Sequence, residues 1–288
     1  MSESKPAYVM GHSDRERRRL ALQAAVLNPL TDSFLRRAGI SAGMRILDLG
    51  CGIGEVSLIA ARLVGPHGHV HCLDLDPAAL EIAERRVRSA GHDHVKFEQA
   101  DITEHVPAGF YDAVIGRHIL IHTPDAQAVL RKAVSIVHDG GVIAFQEYDL
   151  SWFPRGHPEL PLMFQVEELI VEFFRRAVPK PNMGTQLFYL MREAGLPPPE
   201  CRAESIMDGG PHSLIYEWLA ETLITLSPRF QALGMIAMAD MDSATLTQRL
   251  RQEAVDKGGV IMSPIMVGAF ARKRNATQEP KEFIVAEG

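Results

Sequence analysis

The sequence predicts an α/β fold: a seven-stranded, mostly parallel sheet with an antiparallel last strand, flanked by helices and covered by a helical cap. Three observations predict it. Between residues 44 and 147, short apolar runs suited to buried strands alternate with stretches of helical apolar spacing, the order that builds a parallel sheet. The first of these runs, Arg45-Ile46-Leu47-Asp48-Leu49, passes directly into Gly50-Cys51-Gly52-Ile53-Gly54 and then into a helical pattern. Residues 151–259 are dominated by further helical segments that such a sheet does not need, and an apolar run at 260–271 follows them.

In chain order, residues 13–38 read as two helices broken at Asn28-Pro29, the first opened by a capping box of Ser13 and Glu16. Arg15, Arg17, Arg18 and Arg19 form a charge run that reads as a solvated face ahead of an anion site. Ile46, Leu47 and Leu49 suit a strand buried on both faces. Gly50, Gly52 and Gly54 then let backbone approach a ligand, and the first N–H groups of the helix over 55–63 face it. The dinucleotide fingerprint G-x-G-x-x-G would need a glycine where Glu55 stands, so the spacing disfavours NAD. Asp48, two residues before the first glycine, is poorly placed for a pyrophosphate and suits a cation such as an amino acid's ammonium. A ligand that combines an ammonium, a carboxylate and a nucleoside fits better, and S-adenosylmethionine is such a ligand.

Residues 68–77 read as a second strand ending in Asp74, placed about 20 residues past the glycine loop where doubly wound folds hold a ribose diol. Leu75 can cover an adenine face, and Asp76-Pro77 is an N-cap with a proline at the first helical position. Together D-x-G-x-G-x-G over Asp48–Gly54 and V-x-x-x-D over Val70–Asp74 resemble the class I S-adenosylmethionine-dependent methyltransferases. The motif-bearing part runs from Met44 to about Glu147. Tyr8-Val9-Met10-Gly11-His12-Ser13-Asp14 and the helix after it resemble the small-molecule branch of secondary metabolism. The resemblance implies a Rossmann-like core and S-adenosyl-L-methionine as cofactor. It implies that Asp101 and Ile102, at the exit of the third strand, meet the adenine; the alternative for Asp101 is a turn cap. It also implies an N-terminal segment folded over the cofactor, with Tyr8 as an aromatic wall and hydroxyl donor near the sulfonium.

The fourth strand, 110–118, ends at the crevice where ligands bind in such sheets, which brings Arg117 and His118 near the cofactor. The Asn/Asp-Pro-Pro-aromatic tetrad of amino-methylating DNA enzymes is absent there, since Gly116-Arg117-His118-Ile119 stands in its place. Gly140-Gly141 is read as the stop of the helix over 126–137, and 142–147 as the fifth strand. Glu147, Tyr148, Asp149, Trp152 and Phe153 leave the sheet as an acceptor wall, or as the seat of the insertion that follows. If the acceptor must lose a proton, His118, His122 and Glu147 are the candidate bases, in that order.

The remaining pattern gives helices at 160–177, 183–194, 214–227, 230–239 and 243–257, a sixth strand at 201–207, and a last strand at 260–271 paired antiparallel to the sixth. The domain plan is an N-terminal lid (1–38), a cofactor core (39–150), a helical insertion (151–182), core continued (183–209), a helical cap (210–259), the last core strand (260–273) and a disordered tail (274–288). Hydrophobic content of 46% supplies a full core, and a net charge of −6 with pI near 6.1 disfavours a nucleic-acid grip. His67, His69 and His71 alternate, but no ligand set completes them, so no metal is expected. Three scattered cysteines, a polar start and no long apolar run point to a cytoplasmic protein with no membrane partner. The function expected is in-line methyl transfer to a small, fairly apolar acceptor at O, N or C, with a homodimer left open. The alternatives are a non-methylating cyclisation or rearrangement on the same cofactor, and a binding protein without turnover.

Overall fold

A computed structural model describes residues 14–104, 109–151, 153–235 and 242–274. The chain runs α1 (Asp14–Arg37), β1 (Arg45–Leu49), α2 (Glu55–Val64), β2 (His69–Asp74), α3 (Pro77–Ser89), β3 (Val95–Gln99) and β4 (Tyr111–Arg117). After a single 3₁₀ turn, Leu120–His122, come α4 (Ala126–Ile136), β5 (Val137–Asp149), α5 (Pro161–Ala177), α6 (Met183–Glu193), β6 (Glu200–Glu204) and β7 (Met207–Gly209). Helices α7 (Ile215–Leu226) and α8 (Leu246–Asp256) precede β8 (Val260–Met262) and β9 (Ile265–Arg272).

The main sheet has seven strands in the order β3-β2-β1-β4-β5-β9-β6. Its pairs are parallel except those of β9, which runs antiparallel between β5 and β6. The chain builds outward from β1 to β3 and then returns to place β4 on the other side of β1. That reversal opens a crevice beyond the carboxyl ends of β1 and β4. Alternation along the strands divides the core. Ile46, Ala113, Ile115 and Ala144 pack against α1 and α2 on one face, while Leu47, Val114, Ile143 and Phe145 pack against α4 and α6 on the other. Each isoleucine, leucine, valine or phenylalanine among them, taken fully out of water, is worth about 1.5–3 kcal/mol. A third apolar cluster joins α1, α5, α7 and α8 above the strand ends, so the cap has a core of its own.

Five expectations are corrected. Helix α1 is unbroken, with Pro29 inside it. Proline costs one backbone bond within a helix, but α1 is held along its length by α2 and α7, including ion pairs from Arg15 to Glu221 at 2.9 Å and from Arg18 to Glu217 at 2.5 Å. Arg19 leaves the solvated face and is 4% exposed. The last apolar run is two strands: Ser263-Pro264 interrupts it, β8 pairs with β7 in a separate two-stranded sheet, and only β9 enters the main sheet. Helix α4 ends at Ile136, before the Gly140-Gly141 stop, because Val137 is already paired to Tyr111; the register then shifts before Val142 rejoins β4 opposite Ala113. The stretch expected as a helix from 230 begins as a 3₁₀ turn, Gln231–Leu233, closed by Gly234 at φ 64°, and 236–241 lie outside the described residues.

Candidate active site

The glycine loop joins β1 to α2 through three residues with positive φ: Gly50 at 65°, Gly52 at 53° and Gly54 at 84°. Two of them also lack room for a side chain. A Cβ on Gly50 would lie 2.4 Å from Ile119 Cδ1, and one on Gly54 would lie 3.0 Å from Ala83 Cβ. At Gly52 no described atom lies within 4 Å of that position, so the loop is open on that side. The Gly52 N–H donates to Asp74 Oδ2 at 2.7 Å, and the Asp76 N–H donates to Asp74 Oδ1 at 3.0 Å. Asp74 is thereby locked at the rim of the loop, with Leu75 beside it 48% exposed. Asp76 also caps α3 by accepting from the Ala78 N–H at 2.9 Å, as the Asp-Pro pair predicts.

Beneath the loop, Asp48 is 1% exposed. Its Oδ2 accepts from Ser57 Oγ at 2.7 Å, and its Oδ1 is buried with no partner among the described residues. Burial pushes the Asp48 carboxyl up to about 7, against the pull of the Ser57 hydroxyl and the Arg117 guanidinium. A buried carboxylate oxygen without a donor is costly, and its position suits a cationic ligand group. The loop therefore fits the cofactor expected from its sequence: an open backbone cradle, one acid held at the rim and one acid short of a donor.

At the exit of β3, which pairs with β2 beside Asp74, Asp101 Oδ1 accepts from the Thr103 N–H at 2.9 Å and from Thr103 Oγ1 at 2.6 Å, the turn-capping arrangement. Ile102 is 8% exposed. Arg117, at the end of β4, directs Nη1 to Asn28 Oδ1 at 2.9 Å and to Thr31 Oγ1 at 2.8 Å, both on α1. The guanidinium thus ties the sheet to the cap. Tyr8 and Trp152, read as walls of the pocket, lie outside the described residues.

The candidate bases look different once placed. Glu147 is fully buried, and its two oxygens accept the backbone N–H groups of Ile119 (3.0 Å), Leu120 (2.8 Å) and Ile121 (3.2 Å). It anchors the turn after β4 and presents no oxygen to a substrate. Asp149 is committed in the same way, with Oδ2 accepting the Thr185 N–H at 2.9 Å at the start of α6. Burial, Arg117, His122 and Arg19 hold the His118 imidazole well below its usual range. Burial, followed by Arg19, lowers His122 to about 4. Neither histidine has the near-neutral basicity that recommended it. His118 does have backbone strain, with φ at 56° in the left-handed region that side chains other than glycine seldom adopt. Its N–H bonds to the Gln146 carbonyl at 2.9 Å, and its ring stacks on Tyr148 with centroids 3.8 Å apart.

Sequence reasoning missed Gln146 and Gln23. Gln146 is 1% exposed, and both polar atoms of its side chain are buried without a partner among the described residues. Gln23, on α1, places Nε2 at 3.4 Å from His118 Nδ1. A lone glutamine in an apolar strand such as Ala144-Phe145-Gln146 is a readable signal, because a buried amide needs partners.

Residues 40–195, more than half of the chain, match the model of the methyltransferase domain family. The chain belongs to this family: it is a class I S-adenosylmethionine-dependent methyltransferase domain. Among similar proteins, the aklanonic acid methyltransferase DauC of Streptomyces sp. (strain C5) is 35% identical over 43% of this chain and 58% of its own length. The demethylmenaquinone methyltransferase of Lactococcus lactis is 30% identical over 50% and 54% respectively. The chain spans roughly half the length of the curated relatives it matches. Among solved structures, a methyltransferase described as putative, from Bacillus halodurans, superposes with a TM-score of 0.54 at 19% identity, over 85% of this chain and 99% of that one. At that identity the likeness concerns the fold.

Proposed function

We propose that the protein transfers a methyl group to a small, fairly apolar acceptor. S-Adenosylmethionine, when bound, would supply an activated methyl group, whose carbon the acceptor nucleophile would attack in line as the sulfonium–methyl bond breaks and S-adenosylhomocysteine leaves. The observation that carries this reading is the pairing of the open cradle at Gly52 with the unpartnered, buried Oδ1 of Asp48. In this reading the backbone at Gly50, Gly52 and Gly54 admits the ligand, and Asp48 offers its free oxygen to the ammonium. Asp74, held by two backbone N–H groups, accepts from the ribose hydroxyls. Leu75 and Ile102 cover the base, with Asp101 at its edge. Arg117 contributes positive charge at the inner end of the crevice and fixes α1 above it.

The acceptor side is the space between the strand ends and the cap. The cap's apolar cluster supports a small acceptor rather than a polymer. Similarity to methyltransferases named for aklanonic acid and demethylmenaquinone supports the same class. Catalysis rests mainly on placement, since reactants held at roughly 3–3.5 Å and aligned recover most of the entropic barrier. Glu147 is not proposed as a base, because its oxygens are filled. No helix among the described residues is long and apolar enough to cross a membrane. A cytoplasmic location, supported by three free cysteines, belongs to the same proposal.

Two measurements test it. Calorimetric titration with S-adenosylhomocysteine should show saturable binding that Asp74→Ala weakens about 10–100-fold, as expected for lost hydrogen bonds to a charged group. Mass analysis of acceptors incubated with protein and cofactor should show a gain of one CH₂. Cofactor binding with a product of unchanged mass would replace methyl transfer by rearrangement, and absence of binding would overturn the reading.

A further inference from the structure

Glu16, Arg19 and Gln23 lie three and four residues apart on α1, which puts them on one face of the helix. All three are buried, at 1%, 4% and 9% exposure. Arg19 grips Glu16 with two bonds, Nε to Oε2 and Nη2 to Oε1, each 2.7 Å. Its Nη1 donates to Gln23 Oε1 at 2.7 Å. A guanidinium can only donate, so the Gln23 oxygen must face Arg19 and the Gln23 NH₂ must face away. On that far side is His118 Nδ1, 3.4 Å from Gln23 Nε2. An NH₂ group can only donate, so Nδ1 must present its lone pair, and in a neutral ring the proton then sits on Nε2. Nε2 is buried and has no partner among the described residues. The ring plane is fixed by Tyr148, stacked at 16° between planes.

We propose that Gln23 is a positioning residue that locks His118 as its Nε2–H tautomer, so that His118 acts as an oriented N–H donor to an oxygen lone pair of the acceptor. The proposal rests on the methyl-transfer reading and deepens it. The unpartnered carboxamide of Gln146, on the adjoining strand, adds a second adaptable polar group. An acceptor suited to this site presents a carbonyl oxygen or an ionised hydroxyl. An ammonium head, which has hydrogens and no lone pair, does not fit. The groups facing His118 from the packed elements are Arg19 and Gln23 on α1, Arg117 on β4, His122 on the following turn and Tyr148 on β5. Burial, followed by the cations among them, keeps the ring neutral. No proton needs to move through His118 in the transfer.

The test reads the ring directly in the full chain labelled with a nitrogen isotope for magnetic resonance. At neutral pH, the long-range couplings of His118 should show Nε2 protonated and Nδ1 bare. In Gln23→Glu, the new carboxylate can only accept, so the proton should move to Nδ1 and the imidazole should titrate at higher pH than in the parent protein. Addition of catechol as an oxygen-bearing probe should shift the Nε2–H resonance of the parent and produce no such shift in Gln23→Glu. A proton on Nδ1 in the parent, an unchanged tautomer in the variant, or no catechol shift in the parent would overturn the proposal. If Gln23→Glu does not fold, neutron diffraction of the unaltered protein reads the same proton, and density on Nδ1 would overturn it. Titration with S-adenosylhomocysteine separates the two readings: loss of cofactor binding in the parent defeats methyl transfer while leaving the tautomer measurement standing.

Discussion

Glu147, on β5, accepts the Leu120 N–H at 2.8 Å from the turn after β4, and through Ile119 and Ile121 it gathers three consecutive N–H groups of one turn. Three N–H groups converge on this one buried side chain, so Glu147 sets the path of the chain immediately after His118. Glu147→Ala should cost about 3–5 kcal/mol, since each buried donor left unmatched costs roughly 1–3 kcal/mol. Glu147→Gln keeps one accepting oxygen and should cost less. Urea unfolding of the variants measures both, and an alanine variant as stable as its parent would remove Glu147 from this role.

Gly50 and Gly52 differ by what surrounds them, and that difference can be measured. Gly50→Ala meets Ile119 at 2.4 Å and a φ of 65°, so it should lower stability by about 2–4 kcal/mol, in the overpacking range with added backbone strain. Gly52→Ala has only the backbone conformation against it, worth about 1–2 kcal/mol. Its methyl group nevertheless projects into the open cradle, so affinity for S-adenosylhomocysteine should fall more than tenfold. Paired unfolding and calorimetry would contradict this if Gly52→Ala bound the ligand normally.

Asp48 gives a pH signature. Its carboxyl titrates near 7 in the folded chain and near 3.9 when unfolded. Across about pH 4–7 the folded state therefore holds more protons than the unfolded state, and stability contributed by this group falls as pH rises through that window. His118 and His122 act in the opposite sense. Their folded values are lowered, so they make stability rise with pH up to the unfolded histidine value near 6.5. The parent curve mixes these slopes. The difference between the parent and Asp48→Asn isolates the aspartate and should change by on the order of 3 kcal/mol between about pH 4 and 7. Parallel stability curves for the two proteins would contradict it.

What could be read in the sequence follows from the range of the interactions concerned. The glycine loop, Asp74 and the Asp76-Pro77 cap are local, because turn geometry and capping act within a few residues. The same holds for the alternation that makes Ile46 and Leu47 face opposite cores. The continuity of α1 through Pro29 was not legible, because it depends on α2 and α7, which close on it only in the folded chain. The surroundings of Glu147 and His118 are not legible for a related reason. Residue type suggested a base, whereas burial and partners 26–28 residues away, or 95 residues away for Gln23, decide protonation and availability. The spacing of Glu16, Arg19 and Gln23 was visible, but only the fold aims it at His118.

Asn28 sits at the centre of a chain of contacts that links the cap to the glycine loop. Its Oδ1 accepts from Arg117 on β4 at 2.9 Å, and its Nδ2 donates to Glu55 Oε2 at the start of α2 at 3.0 Å. Glu55 Oε1 receives Arg86 Nη2 at 2.5 Å, and Arg86 Nη1 reaches the Ile53 carbonyl inside the loop at 2.6 Å. One amide therefore joins β4, α1 and α2, and through Glu55 and Arg86 it braces the loop that is proposed to hold the cofactor. Asn28→Ala should cost about 2 kcal/mol, because two hydrogen bonds to charged groups are lost and both charges keep other partners. S-Adenosylhomocysteine affinity should drop several-fold although Asn28 is not proposed to touch the ligand. If the chain transmits as a unit, Asn28→Ala and Arg86→Met will be non-additive, with a coupling of roughly 0.5–2 kcal/mol in a double-mutant cycle on binding. If the two effects add to within about 0.3–0.5 kcal/mol, the loop is braced independently of the cap, and α1 then bears on the site through Gln23 and through Thr31, which accepts from Arg117 at 2.8 Å.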